Sequence, residues 1–454
     1  MIIDNSKLDG LLNVKAEKEQ LTEILNKSKK LERLSLKEVA LLLNVEDKAS
    51  LEQIFEAARN LKNEIYGKRV VIFAPLYISN LCKNECLYCA FKASNKGMKR
   101  RALNQEEIAK ETLFLLKTGQ KRILLVSGEA YPGEGLEYVI ESIKTVYSVQ
   151  DGKNNIRRLN VNISPLDIPD FKRLKEAEIG TFQLFQETYH EPTYKKLHVS
   201  GPKADYNYRL TNMDRAFTAG IDDVGIGILF GLYDYKYEVL ALMQHIEHLE
   251  KEFGMGPHTV SVPRLEPATG SDIASSPPYP VSDDDFKKII AVLRLAVPYT
   301  GIILSTRETA GMRQEAMDLG VSQLSAGSRT NPGGYSEEEG LEQFSLGDHR
   351  SLDEVVSDIC QKGYIPSFCT ACYRLGRTGL DFMEYAKPGD IKKKCLPNAI
   401  FTFQEYLDDY ASAKTRDAGL KMIAYELSLM PEELRVKTEN SLNLIKEGKR
   451  DLFV

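Results

Sequence analysis

No stretch of this sequence is apolar for long enough to cross a membrane. The longest strongly apolar run, around residues 225–233, falls far short of the about 20 residues a spanning helix needs. A basic excess is missing too: the net charge is -5, with 28% charged and 43% apolar residues, and the pI is near 5.9. That profile fits a soluble, mildly acidic globular protein and gives no sign of nucleic acid or an anionic membrane as partner. The opening MIIDNSKLDG lacks the basic-then-apolar order of a secretion signal, so a cytoplasmic location is expected. Seven cysteines, an odd number without such a signal, argue against a disulfide framework and for metal or redox use. There is no internal repeat and no low-complexity tract.

What is present is alternation. Residues 1–65 read as helix, with apolar residues at three and four spacing behind Ser or Asp starts. From Val70 onward β-rich runs alternate with amphipathic helices, and eight strands are expected at 70–78, 122–128, 158–164, 181–187, 223–230, 258–265, 301–307 and 321–327. Between the first two, Asn104 and Glu107 are spaced as a capping box and Gly119 stands where a helix should stop. Strict alternation implies right-handed crossovers and a parallel sheet; eight units close a (β/α)8 TIM barrel, an α/β fold, with an open doubly wound sheet as the alternative. The expected organisation is an N-terminal helical segment (1–65), a barrel (66–350) and a C-terminal helical domain (351–454) in which alternation has stopped.

Three cysteines, Cys82, Cys86 and Cys89, crowd the segment CKNECLYCAF directly after the first strand. Soft thiolates at CxxxCxxC spacing can converge on zinc or an iron-sulfur cluster. A structural zinc wants a fourth ligand that no nearby Cys or His supplies, so an open, reactive centre is the better reading. Its place after a barrel strand is the C-terminal mouth, where such barrels keep their chemistry. A second triad follows, Cys369, Cys372 and Cys395, as CxxC and a third cysteine after 22 intervening residues; it too reads as an open iron-sulfur site, with a zinc knuckle as the alternative. Cys360 reads as a core residue.

CxxxCxxC with an aromatic, Tyr88, before its last cysteine resembles the cluster loop of the radical S-adenosylmethionine (SAM) enzymes. That resemblance implies a 4Fe-4S cluster chelating SAM and a 5'-deoxyadenosyl radical. The second strand ends in SGE, similar to the family's GGE, which makes Glu129 the acceptor for the SAM ammonium. PLYISN, QLFQETYHEPTY, GPKADYNYRLTNMDRA, GPHTVSVPRLEPA, LSTRE, SAGSRT and CTACYRLGRTG, from about residue 70 to 410, resemble the tyrosine lyases of FeFe-hydrogenase maturation. The related tyrosine lyases of thiazole synthesis share the barrel and lack the C-terminal cysteines.

The resemblance implies radical cleavage of the L-tyrosine Cα–Cβ bond to p-cresol and dehydroglycine. It then implies conversion of dehydroglycine to CO and cyanide on an auxiliary 4Fe-4S cluster with an additional iron. Implied partners are L-tyrosine, a ferredoxin or flavodoxin as electron donor, and other hydrogenase maturases. A lyase stopping at dehydroglycine and a non-catalytic iron-sulfur scaffold are the rival readings.

On a parallel barrel Cys82–Cys89, Glu129, Asn162, Glu187, Arg307 and Arg329 fall on the upper face. Arg307 and Arg329 are candidates for clamping the tyrosine carboxylate, or else structural ion pairs; Asn162 and Glu187 are candidates for SAM, or else barrel packing. The resemblance makes His258 the ligand of the extra iron, yet it opens the sixth strand, on the lower face. That is consistent only if the second cysteine triad folds beneath the barrel. His245 and His248 are expected on a solvated helix face, and the basic run 92–101 in a solvated loop or a shield over the cluster.

Overall fold

A computed structural model describes residues 2–454 apart from 16, 134 and 338–339. Eight parallel strands close on themselves: β1 (Arg69–Ser79), β2 (Arg122–Ser127), β3 (Arg158–Asn162), β4 (Phe182–Glu187), β5 (Val224–Ile228), β6 (Thr259–Ser261), β7 (Gly301–Leu304) and β8 (Val321–Ser325). Each pairs with the next, and β8 returns to β1 through Val71↔Gln323 to Phe73↔Ser325. The expected barrel is therefore present. Its sixth strand is shorter than the pattern suggested, three residues, and Pro263, which has no amide hydrogen to continue a ladder, follows its end.

Strand β1 is buried at all eleven positions, as a strand covered on both faces must be. Helices cover the outside, and the Asn104–Glu107 capping box starts Gln105–Lys117 as its sequence predicts. The N-terminal helices Leu36–Leu43 and Lys48–Tyr66 pack on barrel helices Tyr235–Phe253 and Asp283–Ala296. One continuous apolar core takes in residues from all three expected segments, among them Ile24, Ile72 and Phe403.

Alternation does not stop at 350. Helix Leu352–Gln361 is followed by a further strand, β9 (Ile365–Ser367), which pairs in parallel with the first residues of β1 through Arg69↔Ile365 and Val71↔Ser367. β1 is long enough to serve β9 at its lower end and β8 above. This hooks the C-terminal helices beneath the barrel, where the strands begin.

Candidate active site: two cysteine-lined cavities

The upper cavity has a volume of about 200 Å³ and is lined by Cys82, Cys86 and Cys89 together with Glu129, Asn162, Glu187 and Arg307. Tyr88 lines it as well. Five of the six residues expected on the upper face besides the cysteines are thus brought together. The exception is Arg329: it is exposed and lines a neighbouring cavity beside His349. Its neighbours Ser328 and Thr330 both line the upper cavity, so the Arg329 side chain between them is directed the other way.

The cysteine loop is held from several sides. Leu87 N donates to Leu197 O at 3.0 Å and Glu85 N to Ser200 O at 2.9 Å. Arg100, from the basic run, folds back and donates to the carbonyls of Asn80 and Phe91 at 3.0 and 2.8 Å. Gly128 packs so close that a Cβ there would lie 2.3 Å from Leu81 O. Tyr88 OH lies 2.8 Å from His198 Nε2, whose Nδ1 is 2.8 Å from Tyr194 O. Burial, then Lys203, holds the His198 pKa down at about 2, so it is neutral with both nitrogens engaged.

Two buried cations that sequence reasoning gave no role organise the carboxylates. Arg209 Nη1 donates to Glu129 Oε1 at 2.9 Å and Lys203 Nζ to Glu187 Oε1 at 2.6 Å, while Asn84 donates to Glu129 Oε2 at 2.8 Å. Burial would raise the Glu129 pKa, but Arg209 and Lys203 hold it below the ordinary range. Lys203 is pushed up: burial and Arg209 act against its charge, and Glu187, Cys86 and Glu129 outweigh them. Glu187 takes φ 71° at a register shift between β4 and β5, which aims its side chain into the cavity. The guanidinium of Arg307 stacks 3.3 Å from the Phe344 ring centre and forms no ion pair among the described residues, leaving its charge for a ligand. The segment GPKADYNYRL, which supplies Lys203 and Arg209, was the available signal.

The lower cavity, about 50 Å³, is lined by Cys369, Cys372, Cys395 and His258, with Arg69 and Arg122. His258 Nδ1 is 2.9 Å from buried Asp223 Oδ2, and its ring stacks on Phe382 at 4.0 Å. A carboxylate on one ring nitrogen orients the other toward a ligand, as in metal-bound histidines. Burial would raise the Asp223 pKa, but His258 keeps it low. The Cys372 thiol hydrogen-bonds Cys395, which pushes Cys372 up and Cys395 down. The expectation that His258 meets the second triad under the barrel matches this arrangement. Arg69 and Tyr77, at the two cavities, are about 26 Å apart along β1, or about 21 Å along the barrel axis after strand tilt.

Soft sulfur donors of this kind suit iron or zinc; among the described residues no group of three Cys, His, Asp or Glu side chains is drawn in to the spacing of a single ion. Burial pushes the Cys86 and Cys89 thiols up, so their thiolates call for a cationic centre in this apolar loop.

The sequence matches the family model of the radical SAM superfamily over residues 76–246, and that of the biotin and thiamin synthesis associated domain over 261–365. It is 32% identical to 2-iminoacetate synthase of Escherichia coli over 74% of this chain and 86% of that protein. A crystal structure of HydG, a maturase of the [FeFe]-hydrogenase, superposes with a TM-score of 0.97 at 49% identity and full coverage of both chains. HydG from Carboxydothermus hydrogenoformans gives 0.84 at 43%, with 96% of each chain covered. The chain belongs to the radical SAM superfamily, within the tyrosine-lyase family of 2-iminoacetate synthase and HydG. It is a radical SAM lyase, and the family implies SAM and a 4Fe-4S cluster.

Proposed function

We propose that this lyase cleaves L-tyrosine to p-cresol and dehydroglycine in the upper cavity and converts the dehydroglycine to CO and cyanide at the lower one, supplying an iron precursor for an FeFe-hydrogenase. The observation that carries this is the pair of cysteine-lined cavities at opposite ends of one barrel. A 4Fe-4S cluster on Cys82, Cys86 and Cys89, with SAM, would supply the deoxyadenosyl radical. An auxiliary cluster on Cys369, Cys372 and Cys395, with an additional iron on His258, would supply the second centre.

The chain's own residues do the holding. Glu129, kept ionised by Arg209 and Lys203, is the acceptor for the SAM ammonium. Asn162 and Glu187 reach the remaining polar groups of the cofactor from the ends of β3 and β4. Tyr88, pinned by neutral His198, walls the cofactor beside the last cysteine. Arg307, rather than Arg329, clamps the tyrosine carboxylate, because it alone of the two faces the upper cavity. Alternate residues of β1, from Tyr77 through Phe73 to Val71 and Arg69, line both cavities along one inner wall, which offers a small intermediate a route shielded from bulk water.

A ferredoxin or flavodoxin donor, transient contact with other maturases and a cytoplasmic location belong to the same reading; no helix among the described residues is long and apolar enough to cross a membrane. Incubating iron-reconstituted protein anaerobically with dithionite, SAM and L-tyrosine tests the first station. The reading expects 5'-deoxyadenosine and p-cresol together; a protein that releases neither is a scaffold.

A further inference from the structure

The second cysteine triad comes from two segments: Cys369 and Cys372 on the turn after β9, and Cys395 on helix Lys392–Asp409. Residues 450–454 have no regular structure, yet they bind both. On the turn, Arg374 pairs with Asp451 through both terminal nitrogens, 2.8 Å from Nη2 to Oδ1, and lies 4.5 Å over the Phe453 ring. Arg377, whose amide donates to Cys372 O at 2.9 Å, donates Nη1 to Val454 O at 3.0 Å.

On the helix, Asp451 N donates to Glu405 Oε1 at 2.5 Å, and Val454 N to Asn398 Oδ1 at 2.8 Å. Arg450 pairs with Asp409 at 2.5 Å. The barrel's lower rim joins in. Lys121 and Arg157, which immediately precede β2 and lead into β3, pair with fully buried Glu405 at 2.6 and 2.9 Å, and Arg157 lies 3.1 Å from Asp451.

Asp451 is the node of this set, and it holds a left-handed φ of 67°, a conformation that aspartate tolerates better than most non-glycine residues. A buried acid with two cations must keep all its partners, because leaving one charge unpaired costs more than the pair gains. The arrangement is therefore rigid where an unstructured strip would otherwise fray.

We propose that residues 450–454 are a strap that sets the spacing between the Cys369–Cys372 turn and Cys395, with Asp451 and Arg374 as positioning residues. The purpose of the strap rests on the reading that this triad holds the auxiliary cluster; its mechanical action does not. Tyr373, bonded to Arg122 and Thr181, and Thr378, bonded to Asp222, tie the same turn to the barrel, so loosening the strap frees the turn without unfolding it.

The test uses the full chain carrying D451N, which keeps a residue tolerant of left-handed backbone, and separately R374Q. In metal-free protein, amide hydrogen exchange across 372–378 should quicken about fivefold or more in each variant, with the barrel strands unchanged. After reconstitution both variants should lose iron and the spectroscopic signature of one cluster while p-cresol formation persists. Unchanged exchange in both variants overturns the strap. If wild-type protein itself binds iron for one cluster only, the reading of the triad fails, whatever the exchange shows.

Discussion

Arg307 and Arg329 stand 22 positions apart and carry the same chemistry, yet only Arg307 faces the upper cavity. A guanidinium–carboxylate clamp is a charge-assisted, bidentate contact, so R307M should raise KM for L-tyrosine about 10- to 100-fold. Deoxyadenosine should still form, uncoupled from p-cresol, because the SAM-binding carboxylates are untouched. R329M should change neither; steady-state kinetics of both variants decide the assignment. Sequence alone had no means to separate the two, since both follow barrel strands and the loop after the eighth strand turns Ser328 and Thr330, not Arg329, toward the upper cavity. Lys203 and Arg209 were illegible for the opposite reason: they sit beyond the fourth strand on a turn and short helix, and fold back over the site.

At the scale of elements, strand periodicity was the most readable signal, because eight buried runs alternate with amphipathic helices. β9 escaped it. Three residues with a central proline make no periodic pattern, and the strand exists because β1 offers it an unpaired lower end. His245 escaped as well: the helix Tyr235–Phe253 is covered by the N-terminal helix Leu36–Leu43 on its outer side, so His245 is buried against Tyr189 rather than solvated. His248 on the same helix pairs with Asp214 at 2.6 Å.

That helix carries a pH dependence. Burial raises the Glu238 pKa to about 8 against hydrogen bonds from Thr188 and the Tyr189 amide, whereas an unfolded glutamate ionises near about 4.3. The folded chain keeps the proton longer, so stability falls as pH rises between those values. Burial, then His248, lowers the His245 pKa from 6.5 to about 3; there the unfolded chain protonates first, and stability rises with pH over that window. The two slopes oppose each other below pH 6.5. Above it the Glu238 contribution continues, at about 1.4 kcal/mol per pH unit, while that of His245 is complete. Between pH 6.5 and 7.5 the urea midpoint of the wild type should fall relative to that of E238Q as pH rises; parallel profiles for the two proteins would contradict the assignment.

The turn after β2, which packs against the start of the cysteine loop, makes a second prediction at this scale. G128A would set a methyl against the Leu81 carbonyl, backbone against backbone, costing about 1–3 kcal/mol. Melting temperature should drop, and iron binding at the upper triad with it, while the lower triad keeps its cluster.

Across the whole molecule the two cavities share a wall and no side chains: cysteines above come from one loop, those below from the C-terminal segment. Their separation by a barrel height makes the stations independently removable. C395A should retain p-cresol and lose CO, whereas C86A should lose both, because nothing reaches the lower site until tyrosine is cleaved. The barrel and the two triads were legible in sequence from spacing alone. That β9 and residues 450–454 bind the second triad under the barrel was not, since those contacts join positions hundreds of residues apart.

The central claim is that one chain couples tyrosine cleavage to diatomic production. CO released per p-cresol, measured with haemoglobin as the trap in an anaerobic mixture of iron-reconstituted protein, dithionite, SAM and L-tyrosine, tests it most directly. The two-station account predicts CO accumulating in step with p-cresol. Abundant p-cresol without CO would contradict it and leave a tyrosine lyase that stops at dehydroglycine.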